Sequence, residues 1–374
     1  MTLSITITIL YSLAIGFSIA FFIIPFIIKV ARVKKLFDIP NERSATRQVV
    51  PTLGGVAILL GFFISVLISS GKYNIDDLKY LFAATFVMFG VGLKDDLLGT
   101  SAMRKLVIEL SVALGLVILG NLRITNLHGL LGIEQMGYFS EIILSVIAFV
   151  GIVNAFNLID GIDGLASGTG ILISLTYGIW FLNAGDYLYM IACFSLTGSL
   201  FAFFLYNVFG NTNKIFMGDT GSLLVGTILA VFTIHFNGFI PVSDGMEEGL
   251  PAISLAIMIV PVIDTLRIFV IRILKKKSPF SPDMNHIHHQ LLRLGYSHLK
   301  SSLIIISINA IFILLALSFI HTLGNNLVFL ITLGLGFFIA NIPLEIVKLR
   351  ERNRSRLRKT GNKTELLICK ENLS

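Results

Sequence analysis

Charge is scarce in this 374-residue chain: Asp, Glu, Lys and Arg make up 14% of it, against about 25% in an ordinary globular domain. A chain of this length would ordinarily fill about two soluble domains, but there is too little polar surface to wrap two water-facing cores. Disordered, collagen-like and soluble dinucleotide-binding architectures are excluded by the same shortage. Cysteine is scarcer still. Cys193 sits in an apolar run and Cys369 near the C-terminus, so neither a disulfide framework nor a four-thiolate zinc site has material. What the chain has instead is apolar surface: 55% hydrophobic residues, 30 of them Phe, and a mean hydropathy of +0.86. Lipid is the expected solvent for most of it.

Apolar stretches long enough for a hydrocarbon core of about 30 Å occur approximately at 3 to 28, 53 to 70, 78 to 93, 106 to 120, 138 to 156, 168 to 184, 187 to 206, 221 to 240, 250 to 271, 301 to 320 and 326 to 345. The first lacks a basic leader and a small-residue cleavage pattern, so it is read as an anchor. The expected fold is an all-α integral membrane protein of about eleven transmembrane helices. An odd number puts the termini on opposite sides, and the distribution of Lys and Arg sets the orientation. With the N-terminus outside and the C-terminus cytoplasmic, 26 of the 29 Lys and Arg face inward, leaving Lys72, Lys79 and Arg123 outward. The formal charge of +7 and pI near 9.4 are thereby explained by membrane orientation, without nucleic acid as a partner. Residues 1–347 form one polytopic catalytic domain with inward loops at 29–52, 94–105, 154–168, 206–220 and 272–300. Residues 348–374 form a basic cytoplasmic tail suited to resting on anionic lipid.

The acids gather on one side of this topology. Asp95, Asp96, Asp160, Asp163, Asp219, Asp264 and Asp283 all map to cytoplasmic helix ends or loops. Adjacent carboxylates in "GLKDDLLG" repel unless something positive is nearby, and Lys94 and Lys105 are the local candidates. In "NAFNLIDGIDGLASG", Asn154, Asn157 and Asp160 are spaced i, i+3, i+6, which predicts one helix face, after which Gly161, Gly164 and Gly168 break the helix. Two amides and two acids there suit a hard cation, a diphosphate or the edge of a base; a polar helix end with an Asp-Gly turn is the plainer reading. In "FMGDTGS", Asp219 is either the N-cap of the following helix or a metal ligand beside free amides of Thr220 to Ser222 that face a phosphate. Magnesium binds through one or two carboxylates plus substrate phosphates, which suits this set better than zinc or calcium. Asp264 and Arg267 lie one turn apart and can pair with each other. His286, His288 and His289 read as phosphate-binding imidazoles in a basic loop with Arg272, Lys275, Lys276 and Lys277, as a solvated loop, or as part of a zinc site.

Taken in order, "GLKDDLLG", "NAFNLIDGIDGL", "FMGDTGS", "PVIDTLR" and "SPFSPDMNHIHH" resemble the polyprenyl-phosphate N-acetylhexosamine-1-phosphate transferases, glycosyltransferase family 4, from about Asp38 to His298. The His-Ile-His-His string is similar to the branch that uses UDP-N-acetylglucosamine; the phospho-N-acetylmuramoyl-pentapeptide transferases typically carry three consecutive histidines. Thr46 stands where the family often has His, whereas Arg43 and the pair Gly54 and Gly55 match. The resemblance implies transfer of a hexosamine phosphate from a UDP-N-acetylhexosamine to undecaprenyl or another polyprenyl phosphate, releasing UMP at the cytoplasmic face of the cell membrane. It implies Mg2+, with Mn2+ as the alternative, held by Asn157 and Asp219. Lys105, His286, His288 and His289 would hold diphosphate oxygens, Asn154 and Asp160 would shape the site, and Asp163 would lie nearer the uracil. The resemblance makes Asp95 and Asp96 the expected catalytic pair, organising metal, Lys105 and acceptor. A role for Asp95 as a base gains little, because a phosphate monoester with a second pKa near 6 is mostly dianionic at neutral pH. A homodimer is left open. A cation- or proton-coupled transporter could also carry eleven spans and several Asp, but such proteins place their charges near the midplane and show repeats. Here the charges lie at one interface, and no repeat is visible. A scaffold with a lipid-binding tail leaves the polar motifs unexplained.

Overall fold

The computed structural model describes residues 2–38, 50–71, 73–239, 247–276 and 284–360. Arg43, Thr46, Lys277, Asp283, Cys369 and the tail from 361 onward lie outside the described residues. The chain is mostly helical. It runs α1 (Thr2–Lys34), a short β1 (Phe37–Asp38) and β2 (Val50–Pro51) ribbon, α2 (Gly54–Ser69), α3 (Lys79–Leu98), and α4 (Ala102–Leu114) extended by a π-helical turn (Gly115–Leu119). A hairpin of β3 (Asn126–Leu130) and β4 (Ile133–Gln135) then leads into α5 (Tyr138–Ile159), α6 (Leu165–Ala184), α7 (Tyr187–Phe209) and α8 (Gly218–Gly238). The last elements are α9 (Leu250–Ile257), α10 (Ile259–Leu274), α11 (Ile287–Arg293) and α12 (His298–Thr360). The two small antiparallel ribbons are the only departure from an all-helical reading among the described residues.

Six helices, α1, α5, α6, α7, α8 and α12, are long and apolar enough to cross a bilayer, and α9 with α10 adds a pair bent by 79°. The apolar stretch at 53 to 70 folds as α2, a shorter apolar helix. The stretches at 301 to 320 and 326 to 345 are joined in α12, which breaks at Gly324 with φ 72°, a left-handed conformation that glycine adopts without steric cost.

Burial separates the helices into a centre and a rim. In α8 the most apolar stretch is 89% buried inside the protein, against 28% for α1 and 33% for α12. The central helix is therefore packed on all sides by protein, and the outer two present Leu, Ile and Phe to lipid. Helices in lipid gain little from hydrophobicity when they meet, so close approach through small residues and interhelical hydrogen bonds carries the packing. That chemistry joins α1, α2 and α7: Ser65 Oγ donates to Ser12 O at 2.7 Å and lies 2.8 Å from Ser195 Oγ. At one end of the bundle, Arg123 pairs with Glu141 at 3.1 Å and His235 with Asp186 at 2.7 Å. The site residues lie at the other end.

Candidate functional site

The site begins where the end of α3 meets the start of α8. Gly92 lets α3 approach so closely that a Cβ there would stand 2.3 Å from the Asp219 carbonyl oxygen. Contact at this range carries Asp96 onto the first turn of α8. Asp96 Oδ1 accepts from the Asp219 amide at 2.9 Å, and Oδ2 accepts from the Thr220 amide at 2.9 Å and the Thr220 hydroxyl at 2.5 Å. The expectation of an N-cap is corrected, because Asp219 is the second residue of α8. Of the amides expected to be free, that of Thr220 is taken by Asp96, which holds the Asp219 amide as well. The unsatisfied donors and positive end of a buried helix N-terminus need an acceptor, and a carboxylate from a neighbouring helix supplies it.

Asp95 turns the other way. Its Oδ2 lies 2.5 Å from Lys105 Nζ, and the same ammonium pairs with Asp219 Oδ2. Lys105 at the start of α4 thus joins α3 to α8. Lys94, the other expected counter-charge, is exposed and takes no part in this pairing.

The "NAFNLIDGIDGLASG" stretch splits in two. Asn154 and Asn157 lie in α5, but the helix ends at Ile159 and Asp160 leaves it with φ −76° and ψ 55°, so the three do not share one helix face. Asn157 Oδ1 accepts from Ser222 Oγ at 2.8 Å, tying α5 to α8. Asn154 donates to Glu109 of α4 and to the Val150 carbonyl. Of the three glycines, Gly164 takes the left-handed conformation before α6 (φ 77°), whereas Gly168 is inside α6 and packs on Ile306. Asp160 has no cation or hydrogen-bond donor on its carboxyl among the described residues. Desolvation, and then the charges of Asp219, Asp96 and Asp163, push this carboxyl up to about 8.

Asp163 is satisfied. Lys214 Nζ lies 2.7 Å and His298 Nδ1 2.9 Å from its Oδ2, and Ser302 Oγ donates to its carbonyl at 2.8 Å. Burial would raise its carboxyl, but hydrogen bonds from His298 and Lys214 outweigh burial and hold it below the ordinary carboxylate range.

The histidines are ordered by α10. Asp264 accepts from Arg267 at 2.9 Å and from the Ile287 amide at 3.1 Å, and lies 2.9 Å from His286 Nδ1. The Asp264–Arg267 pair is therefore real but also anchors the histidine segment. His288 is buried against Gly161, where a Cβ would stand 2.3 Å from its Nε2. Desolvation, and then the charge of His289, push His288 down to about 3, so it is neutral at physiological pH. His286 and His288 are parallel, with ring centroids 5.7 Å apart.

One end of the bundle thus collects Asp95, Asp96, Lys105, Asn157, Asp160, Asp163, Asp219 and, through the contact of His288 with Gly161, the histidine segment. Two carboxylates, Asp95 and Asp219, share one ammonium, Lys105, and Asp160 stands within the charge of Asp219, Asp96 and Asp163. Among the described residues no three carboxylates or imidazoles form a metal cage. Sequence reasoning missed Glu109, Lys214 and His298. Glu109 carried a usable signal, since an acid inside an apolar run is costly and rarely idle. Lys214 and His298 carried none, because their role exists only once α6, α8 and α12 meet.

The model of glycosyl transferase family 4 matches residues 78–237. A protein of Bacillus subtilis (strain 168) named "Probable undecaprenyl-phosphate N-acetylglucosaminyl 1-phosphate transferase" is 33% identical over 280 residues, covering 74% of this chain and 75% of that protein. The decaprenyl-phosphate N-acetylglucosaminephosphotransferase of Mycobacterium leprae is 33% identical over 292 residues, 71% of this chain and 72% of its own. The undecaprenyl-phosphate alpha-N-acetylglucosaminyl 1-phosphate transferase of Escherichia coli (strain K12) is 30% identical over 285 residues, 74% of each.

Proposed function

The chain belongs to glycosyl transferase family 4, and from that premise we propose that it transfers N-acetylglucosamine-1-phosphate from UDP-N-acetylglucosamine to undecaprenyl phosphate or a related polyprenyl phosphate. An oxygen of the acceptor phosphate attacks the sugar-bearing phosphorus. The bridging P–O bond of the diphosphate breaks, UMP leaves with the bridging oxygen, and the lipid-diphosphate sugar that starts an envelope polysaccharide remains. The observation that carries the reading is the Lys105 ammonium shared by Asp95 and Asp219 beside the unpartnered Asp160 carboxyl.

Phosphoryl transfer rests on positioning and charge neutralisation more than on covalent help from the protein. Lys105, held between two carboxylates, is placed to meet diphosphate oxygens. Asp95 is occupied by that ammonium, and the acceptor is already mostly dianionic at neutral pH, so Asp95 positions Lys105 and abstracts no proton. Asp96 sets the first turn of α8 and with it Asp219. Neutral His288 packs on the Gly161 turn with the His289 ring centroid 4.3 Å from its own, and a phosphate there would find imidazole donors, while His286 is held by Asp264. Asp163, taken up by Lys214 and His298, orders the nucleotide end of the site rather than touching uracil itself. Asn157 and Asp219 would hold a magnesium ion beside Asp160, and the ion would neutralise charge on the transferring phosphate.

The same reading takes α1, α2, α3, α4 with its π turn, α5, α6, α7, α8, the α9–α10 pair and the two parts of α12 as eleven crossings. The N-terminus is outside, and the site opens on the cytoplasmic face of the cell membrane. The inward placement of 26 of 29 Lys and Arg supports this orientation. The test gives membranes from an overexpressing strain UDP-N-acetylglucosamine, undecaprenyl phosphate and magnesium. UMP and lipid-linked N-acetylglucosamine are expected, and absence of UMP with every UDP-hexosamine tried would refute the reading.

A further inference from the structure

Lys94 and Arg104 are the sequence neighbours of Asp95 and Lys105, yet neither joins the carboxylate cluster. Both are exposed, and neither has a partner among the described residues. They flank a groove of about 320 Å³ between α3 and α4, walled by Val91, Met103, Val107 and Ile108. Its outer edge is open: Met103 is 68% and Val107 55% exposed. Thr100 also lines the groove, and its hydroxyl is buried with no hydrogen-bond partner.

Consecutive residues on a helix point about 100° apart. Asp95 and Lys105 turn inward to α8, so Lys94 and Arg104 look out over the apolar wall, at the end of the bundle where headgroups lie. Two cations and a free hydroxyl above an apolar cleft complement one kind of molecule, an anionic head on an acyl chain. We propose that the α3–α4 groove binds an anionic phospholipid, with the phosphate between Lys94 and Arg104, the Thr100 hydroxyl donating to it, and the chain along Val91 and Val107. The occupant is a resident lipid and not the acceptor. The acceptor's phosphate has to reach Lys105 and Asp219, which face away from this groove. A lipid bridging Lys94 and Arg104 clamps the end of α3 to the start of α4 and so fixes the spacing of Asp95 and Lys105.

The site is tested by binding, which does not depend on the transferase reading. The full chain, purified in detergent, is titrated with phosphatidylglycerol and with phosphatidylcholine and followed by native mass spectrometry. At about 1 kcal/mol per basic residue near a lipid surface, two cations give a preference for phosphatidylglycerol of roughly 30-fold at one high-affinity position. The double variant Lys94→Gln, Arg104→Gln is expected to lose that position. The double variant Lys348→Gln, Arg352→Gln removes the same charge elsewhere on exposed helix and is expected to keep it. Equal loss in both variants, or no preference in the wild type, would overturn the proposal by showing generic surface attraction only. Displacement of phosphatidylglycerol by equimolar undecaprenyl phosphate would also overturn it, since the groove would then be the acceptor's.

Discussion

Asp96 is the residue whose role the structure changes most, and replacing it separates two kinds of contribution. Its carboxylate accepts three hydrogen bonds from the first turn of α8. Truncation in Asp96→Ala leaves two amides and a hydroxyl without their acceptor. Loss of a helix cap typically costs about 1 kcal/mol and bonds to charged groups are worth more, so about 2 kcal/mol is expected. At roughly 2–4 °C per kcal/mol for mid-sized chains, the melting temperature in detergent should fall by several degrees. The same change loosens the turn that carries Asp219 to Lys105, and misplacement by about 1 Å can cost 100-fold in rate. Asparagine keeps one acceptor oxygen and is a good neutral cap, so Asp96→Asn should recover most of the stability and much of the turnover. Scanning fluorimetry with UMP release on the same samples checks both. The reasoning fails if Asp96→Asn melts like the wild type but is as inactive as Asp96→Ala, because the carboxylate would then act on substrate directly and not through α8.

Other substitutions test other joints of the site. Gly161→Ala places a Cβ 2.3 Å from His288 Nε2, so it should cost about 1–3 kcal/mol through overpacking and lower turnover at least 10-fold; unchanged kinetics would detach His288 from the site. Lys105→Gln removes the shared ammonium and should lower turnover about 100-fold, in the range of a lost charge-stabilising donor, measured as UMP release at saturating donor. Asp163 is held below the ordinary carboxylate range, so its stabilisation is complete above about pH 4 and is lost as pH falls through its lowered folded-state value. Asp163→Asn should therefore flatten the acid limb of the melting-temperature profile, and an unchanged limb would refute the role of Lys214 and His298. Chelation of divalent cations should abolish UMP release, with magnesium restoring it; full activity in excess chelator would remove the metal from the scheme.

How far the sequence reached can be judged residue by residue. Apolar run length and the one-sided placement of Lys and Arg are properties of composition against a 30 Å solvent, so the helical membrane class and the gathering of acids at one boundary were legible without coordinates. Asp95, Lys105, Asn157, Asp160 and Asp219 were legible as chemistry because polar residues in an apolar chain stand out. Lys105 was also legible as the counter-charge of Asp95; most other partners were not. Asp96 capping α8, Glu109 behind Asn154, and Lys214 with His298 on Asp163 join residues far apart in sequence, and no local pattern encodes which helix end another will meet. The helix face assumed for Asp160 failed for a local reason: α5 ends one residue earlier, and periodicity does not fix a helix end to within one residue.

The sequence by itself determined the apolar solvent, the predominance of helix and the candidate polar groups, because these follow from hydropathy, period and side-chain chemistry. Only the tertiary structure decided which carboxylates are free and which are engaged. That outcome depends on distances of a few ångströms between α3, α4, α5 and α8, set by close helix contacts such as Gly92 on Asp219, and a carboxylate's availability changes completely over one hydrogen-bond length.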